Sequence, residues 1–434
     1  MQFPWNTTIP FLLMVSTVLS LTTPDHAHII KLQTMHPELS PAQTLRSLAE
    51  QCTQLGIDTW DVYGDFDKDA SNSYLRKFEA EVASEFGKPD AVFLPSGVMA
   101  QSIALLIHKN SDKSTNAFAC HRSSHLLLHE NEGYQALCGM NPIVLPLDDG
   151  RNFPDTPLLY SHVQSAMESS SPDSLRDVST LLLEIPHREL GGKLTPYQDI
   201  VMIKNLLHQH GVAFHCDGAR IFEASAGYQK TLAELAEPFD SIYISFYKGL
   251  GGMSGAMLLG TTDFCHQARI WLRRFGGNLY TLMPFAVSGW AGYRRYWKRA
   301  KSSSDVSMLT FEDKKTKISN IVQHLSADSL CSQIMLFDPP IPEVNMVHVY
   351  IYFSDVEDCM RVRDDIQGRL GVCLFHRIRP LEAGEPAFEY GLRCKLELTI
   401  GEANGNIPDN LFISAWTEFS NELRTLMQSK NRME

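Results

Sequence analysis

Basic charge is in short supply in this chain: 38 Lys and Arg stand against 50 Asp and Glu, and the formal net charge is −12. A phosphate backbone is held by a basic surface, so this balance argues against a nucleic-acid partner. The CxxC spacing is missing too, and the nine cysteines are odd in number and scattered. That pattern argues against a disulfide framework or a cysteine-built zinc cluster and reads as reduced, buried thiols. No internal repeat is visible. The apolar run from Pro10 to Leu21 is too short for an ordinary transmembrane helix. It has the length of a signal-peptide core, but no Lys or Arg precedes it, and Thr22 to Ala27 make a poor cleavage region. Asn6-Thr7-Thr8 has the form of a glycosylation sequon, inside the part a signal peptidase would remove. The expectation is a cytoplasmic protein whose N-terminal arm packs on its own domain or on a second subunit. Secretion or membrane association through residues 1–27 is the alternative.

The 434 residues suffice for a large core and two lobes. Hydrophobic content of 44% and charged content of 20% describe a soluble, globular chain. After the arm, Pro41 to Leu55 and Tyr74 to Phe86 carry apolar residues at helical spacing. Short apolar strands follow at Ala91–Leu94, Ala117–Cys120, Ile143–Leu145, Thr180–Glu184, Val212–His215, Ser241–Phe246 and Gly255–Leu259. Helices at Gly97–His108 and Tyr197–His210 lie between them. This alternation predicts an α/β fold with a mostly parallel sheet covered on both faces. Beyond about Tyr296 the pattern changes to a smaller α+β lobe, with helices at Asp313–Leu325, Val356–Leu370 and Asp409–Met427 and strands at Met346–Phe353 and Leu392–Ile400. The division expected is an N-terminal arm at 1–40, a large domain at 41–300 and a small domain at 301–434.

Two stretches carry chemistry. Phe214-His215-Cys216-Asp217-Gly218-Ala219-Arg220 ends a strand in a carboxylate. Ser245-Phe246-Tyr247-Lys248-Gly249-Leu250-Gly251-Gly252 places a lysine in a Gly-rich turn thirty-one residues later. That separation leaves room for a helix and a return strand. An amine and a carboxylate brought together at strand ends suit pyridoxal 5'-phosphate (PLP): the lysine forms a Schiff base and the carboxylate pairs with the ring nitrogen. A dinucleotide loop at Gly249-Leu250-Gly251-Gly252 fails, because the GxGxxG register needs glycine where Ser254 stands. His121, His125 and His129 are spaced for one helical face and could hold zinc. The stretch from Ala117 to Leu128 nevertheless reads as strand, turn and short helix, which breaks that face, and no metal is expected.

Tyr63-Gly64-Asp65, Phe93-Leu94-Pro95-Ser96-Gly97, Ser124-His125, Gly191-Gly192-Lys193-Leu194-Thr195-Pro196, Asp217-Gly218-Ala219-Arg220 and Lys248-Gly249-Leu250-Gly251 stand in one order along the chain. In that order they resemble the threonine aldolase/β-eliminating lyase family, PLP enzymes of aspartate-aminotransferase fold. The resemblance implies roles residue by residue. Lys248 carries the cofactor, Asp217 pairs with its ring nitrogen, Arg220 faces its hydroxyl side, and His125 stacks on the ring. Ser96, Gly97 and Val98 open a helix whose N-terminus suits the phosphate. Val98 stands where the family usually has a hydroxyl, and Ser96 or Gln101 could compensate. His187 lies where relatives put a histidine near the substrate hydroxyl. Arg393, with Lys395 as rival, is the expected carboxylate ligand. Tyr63 is an expected substrate-binding residue, near a neighbouring subunit's cofactor in a homodimer or homotetramer. Tyr280 replaces the arginine of a family glycine loop, and the family's N-terminal Arg-Ser-Asp-Thr signature is absent. The implied activity is cleavage of a small β-hydroxy amino acid to glycine and an aldehyde. β-Elimination or racemisation, and a non-catalytic binding or regulatory role for the fold, are the alternatives.

Overall fold

The computed structural model describes residues 29–64, 73–109, 115–147, 153–169, 174–299 and 308–430. The apolar run at 10–21 and Asp65 lie outside them. Seven short strands form the central sheet: β1 (Asp90–Leu94), β2 (Ala117–His121), β3 (Asn141–Leu145), β4 (Thr180–Glu184), β5 (Ala213–Gly218), β6 (Ser241–Ser245) and β7 (Ala256–Gly260). Their order is β1-β7-β6-β5-β4-β2-β3. Only β7 runs against its neighbours; every other pairing is parallel. β4 and β6 are buried at every position, as expected of strands covered on both faces. The helix Gly97–Lys109 lies against this sheet with ten of its residues buried.

The small lobe has its own four-stranded antiparallel sheet. Its strands are β8 (Met335–Asp338), β9 (Met346–Tyr352), β10 (Arg379–Pro380) and β11 (Leu392–Thr399), in the order β10-β11-β9-β8. On the even-numbered face of β11, Cys394, Leu396 and Leu398 join the lobe's apolar core, and Leu392 packs in a smaller cluster beside Tyr350 and Leu381. Arg393, Lys395, Glu397 and Thr399 therefore share the other face, because successive side chains on a strand alternate. The N-terminal arm enters this lobe: Ile30–Lys31 pairs in parallel with Val372–Cys373, and Leu32 joins the lobe's core.

The lysine turn rests on an aromatic cluster. Phe78 is fully buried, with ring centroids 5.7 Å from Phe93, 4.9 Å from Phe246 and 5.6 Å from Trp290. Phe246 stands two residues before Lys248. Phe78→Ala is expected to cost about 3–5 kcal/mol of stability, the usual range for emptying a packed aromatic site. Chemical denaturation of the variant beside the wild type measures it.

Candidate active site

The carboxyl ends of β4, β5 and β6 meet at one edge of the sheet, and the chemically suited side chains gather there. Glu184 and Asp217 are direct cross-strand partners at the ends of β4 and β5. Two carboxylates side by side in a buried position cannot both ionise cheaply. Burial, reinforced by Glu184, pushes the Asp217 carboxyl up to about 7. Asp217 keeps two donors. Gln101 gives its amide Nε2 to Oδ2 at 2.6 Å, and the Ala219 N–H reaches Oδ1 at 3.1 Å.

Lys248 follows β6 in a glycine-rich turn, where Gly251 holds a φ of +64° and a Cβ on Gly252 would stand 2.8 Å from the Phe246 carbonyl oxygen. A Cβ on Gly249 would stand 2.3 Å from Glu223 Oε1, so a larger residue there would have to push that side chain aside. The Lys248 amine is brought down to about 8, by burial first and then by the guanidinium groups of Arg220 and Arg188. His36 of the arm bonds the Lys248 carbonyl at 2.6 Å. A carbonyl can only accept, so His36 Nε2 carries the proton. The arm is thereby latched to the lysine turn.

The helix Gly97–Lys109 starts where β1 ends. Gly97 is required there, since a Cβ would stand 2.1 Å from the Tyr243 hydroxyl. The Ser96 hydroxyl accepts from the Met99 N–H at 3.3 Å and caps the helix. Val98 is 42% exposed. Gln101 does not compensate at this helix end as the sequence suggested: one turn further in, it faces Asp217.

The three histidines do not form one set: His125 and His129 keep their ring centroids 4.9 Å apart, while His121 stands elsewhere. His125 donates Nδ1–H to Glu130 at 3.0 Å, which raises its affinity for a proton. Its backbone N–H reaches Glu184 Oε2 at 3.3 Å. His129 turns to Glu189 at 3.0 Å. His121 packs edge-on against His187 at 4.7 Å. Among the described residues, no group of three or more His, Cys, Asp or Glu is arranged to hold a metal.

His187 is 1% exposed. Its Nε2 lies 3.0 Å from Ser123 Oγ and 3.3 Å from the Ser123 carbonyl. The carbonyl fixes the proton on Nε2 of the neutral ring, so the lone pair is at Nδ1. Ser123 in turn directs its hydroxyl and its N–H at His121 Nδ1, at 2.9 and 3.1 Å.

The small lobe adds charge through β11, and sequence reading missed its central residue. Glu397 accepts from Arg188 Nε at 3.0 Å and lies 3.8 Å from Arg220. Although burial works against its charge, Arg220 and Arg188 hold its carboxyl below the usual range. Lys395 stands beside Glu189, with its amine 3.7 Å from the carboxylate, and burial lowers it to about 8. The structure does not bring Arg393 to this cluster. Its guanidinium bonds the carbonyls of Phe388 and Leu392, both at 2.9 Å, and covers the Phe388 ring at 3.9 Å. Tyr63 is also apart, half-exposed beside Tyr280 and Arg273. The only sequence signal for Glu397 is its place two residues after Lys395 on one strand face; Arg188 and His36 carry no signal beyond their type.

The family model of beta-eliminating lyases matches residues 51–345. A probable low-specificity L-threonine aldolase of Arabidopsis thaliana is 32% identical over 205 residues, 47% of this chain and 56% of that protein. The low specificity L-threonine aldolase of Escherichia coli K12 is 31% identical over 229 residues, 53% of this chain and 63% of that protein. The chain thus spans little more than half the length of the curated relatives it matches. A solved structure of a candidate L-allo-threonine aldolase from Listeria monocytogenes superposes with a TM-score of 0.74 at 28% identity, covering 91% of this chain and 96% of that one. With the strand-end Asp217 and the lysine turn in place, this chain belongs to the beta-eliminating lyase family.

Proposed function

We propose that this chain is a PLP-dependent lyase of aldolase type, which cleaves a small β-hydroxy amino acid to glycine and an aldehyde. The observation that carries it is the meeting of Asp217, Glu184 and the Lys248 turn at the carboxyl ends of β4, β5 and β6, where burial lowers the amine to about 8 and raises the Asp217 carboxyl to about 7. Those are the values that let an amine attack a carbonyl and a carboxylate share a proton with a ring nitrogen near neutral pH.

The residues fit the cofactor. Lys248 would carry it, Asp217 would face its ring nitrogen, and His125, steadied by Glu130, would lie on its face. Arg220 would stand at its hydroxyl side, and the start of the helix Gly97–Lys109 would receive its phosphate on backbone N–H groups. When bound, PLP supplies an electron sink for the charge left by Cα–Cβ cleavage.

The chain's own groups account for the remaining work. His187 Nδ1 is the basic nitrogen available to take the β-hydroxyl proton, while Ser123 holds the ring in that tautomer. Arg188, Arg220 and Lys395 supply positive charge for a substrate carboxylate, and Glu397 offsets that charge until one arrives. Of the two C-terminal candidates, Lys395 is favoured over Arg393, whose Nη1 is held by the Phe388 and Leu392 carbonyls and whose guanidinium lies on the Phe388 ring. Exposed Trp60, Tyr63 and Tyr280 favour a homodimer or a dimer of dimers, with Tyr63 facing the neighbour. No helix among the described residues is long and apolar enough to cross a membrane.

A product assay on purified protein with β-hydroxy and β-substituted amino acids tests the reading. Glycine plus aldehyde is the expected pair. A 2-oxo acid plus ammonia as the only products rejects aldol cleavage in favour of β-elimination. His187→Phe is expected to slow glycine formation about 10²-fold, the lower end of the range for a lost general base. Cofactor uptake should be unaffected.

A further inference from the structure

Behind Asp217 runs a line of buried polar side chains that the proposed reaction does not use. Gln101 Oε1 lies 2.9 Å from His215 Nε2. His215 Nδ1 lies 2.7 Å from Ser241 Oγ, and Ser241 Oγ lies 2.7 Å from His108 Nε2. All four residues are buried, between 0% and 7% exposed. The fold explains the line. His215 and Asp217 are two apart on β5 and share a face; His215 and Ser241 are cross-strand partners. Gln101 and His108 are seven apart on one helix, two turns along the same side. The seam between helix and sheet thus joins the carboxyl end of β5 to the amino end of β6.

Donors and acceptors along it can be ordered in one way when Asp217 is ionised. The carboxylate only accepts, so Gln101 turns its NH₂ toward it and its carbonyl toward His215. His215 must then carry its proton on Nε2 and accept at Nδ1 from the Ser241 hydroxyl. Ser241 accepts in turn from His108 Nε2–H. Burial keeps both imidazoles neutral, so each has one N–H to give.

We propose that Gln101, His215, Ser241 and His108 form a one-way hydrogen-bond relay that gives the Asp217 carboxylate an ordered donor and aims it at the cofactor's ring nitrogen. Gln101 and His215 are its positioning residues. The proposal rests on the cofactor reading above, and its test separates the two.

Apoprotein is titrated with PLP and with deaza-PLP, which has carbon in place of the ring nitrogen. Removing the relay should weaken only the ligand that has a nitrogen to meet Asp217. Gln101→Leu is expected to weaken PLP about tenfold or more, the value of one hydrogen bond to a charged group, and to leave deaza-PLP unchanged. Ser241→Ala, the milder change, should lose about threefold for PLP alone. His215→Asn, which keeps a donor and an acceptor, should bind PLP better than His215→Phe. Deaza-PLP binding doubles as the check that each variant is folded. Equal losses for both ligands in Gln101→Leu and Ser241→Ala, or no loss for either, overturn the relay and leave the cofactor reading standing. Wild-type protein that binds neither ligand overturns both.

Discussion

Lys248→Ala protein is expected to take up no cofactor covalently and to lose essentially all turnover. In the wild type, borohydride reduction of the loaded protein should place a pyridoxyl group on Lys248 by mass mapping. The amine serves as attachment point and is placed to exchange protons, and loss of the proton-transfer role alone costs about 10²–10⁴-fold. Its lowered proton affinity makes a further, signed expectation. The amine titrates near 8, so the neutral, attacking form grows through that pH. PLP uptake by apoprotein should therefore quicken from pH 7 to 9 and then level off, whereas an ordinary lysine would go on gaining past pH 10. A pyridoxyl group on another lysine would overturn the assignment.

The second large effect is at Asp217. Asp217→Asn should reduce turnover by about 10²–10³-fold, the usual cost of removing one preorganised electrostatic group, because a neutral amide cannot stabilise a protonated ring nitrogen. The same substitution should stabilise the apoprotein. An unfolded aspartate loses its proton near 3.8, and the folded one near 7. A folded-state value raised in this way means that stability falls as pH rises from about 4 to 7, since the unfolded chain ionises first. Asparagine removes that loss. Melting curves should therefore show the variant above the wild type at pH 8, with the advantage gone at pH 4. Near wild-type turnover would make Asp217 a structural residue only.

Local pattern was enough for the elements that carry the chemistry. The strand Thr180–Glu184 and the helices Pro41–Leu55 and Val356–Leu370 end where the sequence places them. Their signals are a short apolar run, a Ser40 cap and a Gly371 stop. The helices Ile221–Tyr228 and Met283–Tyr293 left little trace, because side chains buried on nearly every side leave no amphipathic stripe. Two details departed from expectation for the same kind of reason. Gln101 suits a phosphate by position but faces a buried carboxylate, which outbids a solvated ligand site for its N–H. Arg393 suits a carboxylate by type, but nearby carbonyls and the Phe388 ring hold its guanidinium within its own lobe.

By itself the sequence determined the α/β class, the lysine turn and the strand-end carboxylate, since periodicity and glycine placement act within a few residues. Tertiary structure alone decided the partners. The strand order buries Asp217 and puts Glu184 beside it, and both raise its proton affinity. Packing of the small lobe carries Glu397 from β11 to Arg188, 209 positions earlier in the chain. The arm brings His36 to Lys248 across 212 positions. Alternation along a strand fixes which face a side chain takes; what stands opposite depends on which distant segment the fold lays there.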